Sequence, residues 1–129
     1  KMKNIYFLLL LVIFIPVIGD ETSVQAIKEA KVTAKKLGKE ELPRCKALSE
    51  TDRKLVAANY TGRAEELFTI TKIIESDLEV AKENKNELAA TLSQKNLKDL
   101  IKRVTIYLYF SGIYRDNCQV DIVEKAMDF

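Results

Sequence analysis

The sequence predicts an all-α fold, a small disulfide-stapled helical bundle of about four to six helices with a central apolar helix near residues 97–117. Three observations lead there. Glycine and proline are scarce, four and two in 129 residues, which leaves too little turn chemistry for a succession of β-hairpins. From Arg63 onward, Ala64, Leu67, Phe68, Thr71, Ile74, Leu78 and Ala81 recur at three- and four-residue intervals, the spacing of one helix face. The two cysteines, Cys45 and Cys118, form a natural pair in a chain that carries a secretory leader.

That leader is residues 1–19. "KMKN" is a basic n-region, "IYFLLLLVIFI" an apolar h-region, and "PVIG" a turn followed by small residues, so cleavage after Gly19 is expected. A membrane anchor fits less well, because roughly 20 apolar residues are needed to cross a bilayer and Pro16 interrupts this run. The expectation is therefore a secreted, extracellular protein, with residues 20–129 as a single helical domain. Loss of Lys1 and Lys3 with the leader reduces the 21 basic residues to 19, equal to the 19 acidic ones. Nothing in that balance points to nucleic acid.

The first helix is expected from about Ser23 to Leu37. Thr22 and Gln25 have capping-box spacing, and Ala26, Ile27, Ala30, Ala34 and Leu37 share a face. Lys35 and Lys36 suit the carbonyl end, Gly38 suits a left-handed cap, and "KEELPRC" reads as a connection in which Pro43 blocks further helix. Ser49 is placed to cap a second helix beginning "ETDRKLVAANY", with a break expected near "NYTG" at Asn59–Gly62. The periodic segment from Arg63 to Glu83 follows, then a weakly patterned "KENKN", a short helical turn in "ELAATL", and a connection capped by Asn96. Segments 63–83 and 97–117 would each extend about 32 Å and match end to end as an antiparallel pair. For Cys45 to reach Cys118, the chain must break near Asn59–Gly62, near Asn84–Asn86, or at both.

"RVTIYLYFSGIYRDNC", Arg103 to Cys118, is the densest apolar and aromatic run after the leader. At period two it alternates like a strand, from Val104 to Ser111. It lacks a partner strand, however, and its flank places Leu97, Leu100, Ile101 and Val104 on one helical side. A helix apolar all round is a buried helix, with Gly112 suited to a close helix contact. Alternatively, Tyr107, Phe110 and Tyr114, with Leu67, Ile74 and Leu78, would wall a cavity for a small hydrophobic ligand.

Two surface features complete the inventory. Lys28, Lys31, Lys35 and Lys39 occupy one sector of the first helix and could meet an anionic macromolecule. Asn59 heads the sequon "NYT", an acceptor for N-linked sugar in a eukaryotic secretory pathway. Catalysis is not expected. Histidine is absent, which removes the commonest general base and transition-metal ligand, and the disulfide leaves no thiolate for metal or nucleophilic chemistry. No catalytic residue, metal site or cofactor is expected. The favoured function is binding of another macromolecule outside the cell, as a signal, inhibitor or effector would; the second is carriage of a small hydrophobic ligand. Attachment to a membrane surface comes last, because the first helix lacks large aromatic anchors.

Overall fold

A computed structural model describes residues 21–129, so the leader expected over 1–19 lies outside the described residues. Four helices follow one another: α1 (Glu21–Ala47), α2 (Glu50–Glu83), α3 (Glu87–Arg115) and α4 (Val120–Ala126). The described residues include no strand, and the architecture is the expected helical bundle at the low end of the expected helix count. Helices α1, α2 and α3, of 27, 34 and 29 residues, extend about 40, 51 and 43 Å.

Helix α3 is central, packing against α1, α2 and α4. Neighbours on three sides explain why its second half is apolar all round. Val104, Thr105 and every residue from Leu108 to Tyr114 are buried, and the strand alternative for 104–111 falls. Its buried hydroxyls all have partners: Thr105 Oγ1 donates to the Ile101 carbonyl at 2.9 Å, and Ser111 Oγ donates across the seam to the Ala57 carbonyl at 2.9 Å.

The helices on either side of α3 approach it in different registers. On α1, Ala26, Ala30 and Ala34 are fully buried at four-residue spacing, and Gly38 continues the row. On α2, Ala57, Ala64, Thr71 and Leu78 are buried at seven-residue spacing, the repeat of a left-handed supercoiled pair. α1 runs parallel to α3, with Glu29 beside Lys98 and Lys102 at one level and Cys45 bonded to Cys118 at the other. α2 runs antiparallel to it. The Cys45–Cys118 disulfide joins residues 73 apart in sequence and ties α1 to the segment between α3 and α4. In the chain-entropy picture a loop of that length restricts the unfolded chain by about 4 kcal/mol.

Several boundaries differ from expectation, and each difference has a physical cause. Helix α1 does not end at Leu37; among the described residues it spans Glu21–Ala47, through Gly38 and Pro43. Gly38 is a close-approach residue rather than a cap, since a Cβ there would lie 2.8 Å from Tyr109 Cε2. Pro43 sits on the exposed side, where the carbonyl it leaves without an amide partner can be solvated. Glu41 and Cys45, two residues either side, are anchored to α3 and to Cys118. Near the helix start, Gln25 Nε2 donates forward to Glu29 Oε2 at 3.0 Å.

The break expected at Asn59–Gly62 does not occur. α2 is continuous, and Gly62 has no tertiary neighbour within 4 Å of where a Cβ would be. The chain reverses at Asn84–Asn86 alone, with Lys85 in the left-handed region at φ 54°. Asn86, rather than Asn96, caps α3 by accepting from the Ala89 amide at 3.1 Å. Ser49 caps α2 as expected, accepting from the Asp52 amide at 3.2 Å. The short α4 had no separate sequence signal. It is seated by Gly112, where a Cβ would meet Val123 Cγ1 at 2.7 Å, so the close helix contact expected of that glycine is made with α4.

Candidate functional site

Two groups of side chains stand out from ordinary packing. The first is centred on Tyr60 of α2. Tyr107, Phe110 and Tyr114 of α3 gather round its ring at centroid distances of 5.9, 5.4 and 6.0 Å. Tyr60 and Tyr114 both donate hydroxyl protons to the Glu41 carboxylate, one to each oxygen. Burial, then the adjacent Glu41 charge, pushes the ionisation of both tyrosines above the usual phenol range. Arg63 lies over the Tyr60 and Tyr107 rings, 5.8 and 6.0 Å from their centroids. Beside this cluster Arg44, Asn59, Tyr60 and Arg63 line an open groove of about 360 Å³.

The second group lies on the other side of α3, between α1 and α4. Tyr109 is 1% exposed, and its hydroxyl donates to Glu124 Oε2 at 2.8 Å. Its ring stacks on Phe129 at 4.8 Å, and its ionisation is pushed well upward by burial and by Glu124. Above it runs an open groove of about 560 Å³, whose apolar floor includes Val32, Leu42 and Val120 and whose rim carries Lys35, Lys36 and Lys39. A second open groove of about 430 Å³ shares Leu42 and Val120 with the first and continues to Ile122 and Asp121.

The lysine row divides in two. Lys31 Nζ donates to the Asp128 carbonyl at 2.7 Å and lies over the Phe129 ring, and Lys35 pairs with Glu124 at 3.9 Å. Those two hold the C-terminal segment onto α1. Lys28 and Lys39 are exposed, and so is Lys36, which falls outside the predicted row but lines the groove beside Lys39. Among the described residues neither Lys36 nor Lys39 has an acidic partner.

The six residues expected to wall a hydrophobic cavity are not brought round one hollow. Tyr107, Phe110 and Tyr114 pack on Tyr60, and Leu67 lies beside the same core. Leu78 is buried 18 residues further along α2, about 27 Å away. Ile74 faces a separate open groove with Leu100 and Arg103. The α3 aromatics meet Tyr60 of α2 at their own level, with ring centroids 5.4–6.0 Å apart.

Asn59 is exposed, whereas its sequon threonine is engaged: Thr61 Oγ1 shares a 2.7 Å hydrogen bond with Ser111 Oγ and accepts from Arg115 Nη2 at 3.0 Å. Glu41 and Tyr60 were not singled out in the sequence because both sit in stretches that read as connections. Had Pro43 and Gly62 been taken as helix-internal, the spacing of Glu41 before Cys45, and of Tyr60 between Ala57 and Ala64, would have placed both on core-facing sides.

Among the described residues no group of three His, Cys, Asp or Glu side chains is placed to hold a metal ion, and no helix is long and apolar enough to cross a membrane. No family model, curated protein or solved structure matches the chain. The fold and its surfaces therefore define the class, a disulfide-stapled all-α bundle, and function has to be argued from surface chemistry.

Proposed function

We propose that this chain is a secreted, non-enzymatic protein that acts by binding a negatively charged macromolecule outside the cell, through the lysine face of α1. The observation that carries the proposal is the set of exposed cations, Lys28, Lys36 and Lys39, on one face of one helix, with neither Lys36 nor Lys39 held in an ion pair among the described residues. Three lysines elsewhere on the bundle are paired with acids. Lys98 and Lys102 flank Glu29, and Lys54 pairs with Glu50. Unanswered charge concentrated on one face raises the local concentration of an opposite charge even in a molecule of near-zero net charge.

Retention on an immobilised sulfated glycosaminoglycan tests this directly, with salt titrated to separate charge attraction from apolar adsorption. The disulfide-intact protein should be retained at low salt, and Lys28→Glu/Lys36→Glu/Lys39→Glu should emerge unretained with an unchanged helical circular dichroism spectrum. Equal retention of the two proteins would remove this face from the function.

A further inference from the structure

We infer that the trough between α1 and α4 is a binding site for a monomeric anionic amphiphile of the long-chain carboxylate class. The site differs from a plain cationic patch because its two ends have different chemistry. At one end Lys35, Lys36 and Lys39 crown the rim; at the other, the floor passes through Leu42 and Val120 to Ile122. The two grooves, about 560 and 430 Å³, share Leu42 and Val120 and so form one open channel along the helices. From Lys36 to Leu42 the α1 wall extends about 9 Å, and the second groove carries the channel on to Ile122, within the reach of a medium-length alkyl chain.

The channel contains apolar side chains that folding leaves uncovered. Val32 is 71% exposed and Ile122 43% exposed, in contrast to the small buried residues on the opposite side of α1. Gly38 and Tyr109 also line it, the missing side chain letting the Tyr109 ring lie against the α1 backbone. Acidic groups also face the channel and must be counted. Glu124 is already paired with Lys35 and accepts from the Tyr109 hydroxyl, while Asp121 lies at the end away from the lysines. Lys36 and Lys39 are thus the available cations. A carboxylate head between them, with its chain laid over Leu42 and Val120 toward Ile122, satisfies both ends of the channel. This site does not depend on the polyanion reading, since it requires the apolar floor as well as the lysines.

Titration of the disulfide-intact protein with dansyl-undecanoate, followed by dye emission, tests the assignment. The expected result is saturable one-to-one enhancement that dodecanoate displaces and dodecanol displaces poorly. Lys36→Glu/Lys39→Glu should weaken binding by about ten-fold or more, the scale of losing a charged hydrogen bond. Leu42→Ser/Ile122→Ser replaces two groove residues outside the main core, so the fold should be kept; it should weaken dye binding while leaving glycosaminoglycan retention unchanged. Absence of saturable binding would overturn the assignment, as would indifference to either double variant. Uptake seen only when the amphiphile is presented in anionic vesicles would overturn it too, in favour of a lipid surface.

Discussion

The two long seams of the bundle are built by different means. Along α1 the contact residues are alanine and glycine every fourth position, so two backbones approach with little side chain between them. Along α2 the buried positions fall every seventh residue, and one end of that seam is filled by the ring cluster around Tyr60. A seam of small residues buries little apolar area per residue, at about 25 cal/mol per Å². It therefore leans on other ties, and the α1 side is where the disulfide, the Glu29 ion pairs and the C-terminal hydrogen bonds are found. The α2 side has its hairpin turn and its rings. The comparison predicts that the two sides differ in what breaks them.

The largest effect should come from the disulfide. Cys45→Ser/Cys118→Ser should cost about 4 kcal/mol in denaturant unfolding. The loss should be uneven: amide hydrogen exchange should quicken first in α1 and α4, with the α2–α3 hairpin retaining protection longer. Uniform quickening across all four helices would show that the seams do not differ in this way.

Next in size is one substitution made at two glycines. Gly38→Ala would put a Cβ 2.8 Å from a Tyr109 ring that is held by Phe129 and Glu124. Its net effect should be destabilising by about 1–2 kcal/mol even after the gain in helix propensity. Gly62→Ala on α2 meets nothing within 4 Å and should stabilise by about 0.5–1 kcal/mol. Thermal midpoints moving in opposite directions would support the contrast; a shift of the same sign at both sites would refute it.

The same pair of glycines shows what was readable from sequence and what was not. Helical periodicity after Arg63, the Ser49 cap and the buried character of 104–114 were plain, because each depends on residues close in the chain. The extents of α1 and α2 were not. Gly38, Pro43 and Gly62 carry strong local signals for ending a helix, and local signals cannot report that Tyr109, 71 positions away from Gly38, requires a side-chain-free surface. Correct chemistry was thereby assigned to connections, and Glu41 and Tyr60 were missed with them. The expected cavity failed for a related reason, since six apolar residues at helical spacing specify a face and not the level at which each meets its neighbour. Of the lysine row, Lys31 and Lys35 are engaged by a C-terminal segment whose docking has no sequence motif.

Alkaline pH should act on both seams. Tyr60 and Tyr114 on the α2 side and Tyr109 on the α1 side all ionise above the usual phenol value of 10.0, with burial as the leading cause. Groups raised in this way favour the fold while they are neutral. Their contribution is complete below pH 10 and declines as pH rises beyond it. Thermal midpoints should be flat from neutrality toward that value and then fall, with ultraviolet absorbance showing phenolate appearing together with unfolding. Phenolate formation well before any loss of helix would contradict the buried, hydrogen-bonded geometry at Glu41 and Glu124.

Acid should act on the α1 seam through Glu29, and by the smallest amount. Lys98, Gln25 and Lys102 donate to the Glu29 carboxylate and hold its pKa at about 2, below its ordinary 4.5. A group lowered in this way stabilises the fold above its unfolded value, and that support disappears as pH falls from about 4.5 toward 2. Glu29 is solvent-accessible, so screening should reduce the effect further. Urea unfolding of the parent and of Glu29→Gln should therefore differ most near neutral pH at low salt. The gap should narrow when salt is raised and narrow again on acidification through that window, because protonation turns the parent's carboxylate into a neutral group like the variant's. A gap unchanged by both treatments would mean that Glu29 acts through its packing against α3 rather than its charge. The α1 seam would then be held by the disulfide and the C-terminal contacts without this ion pair.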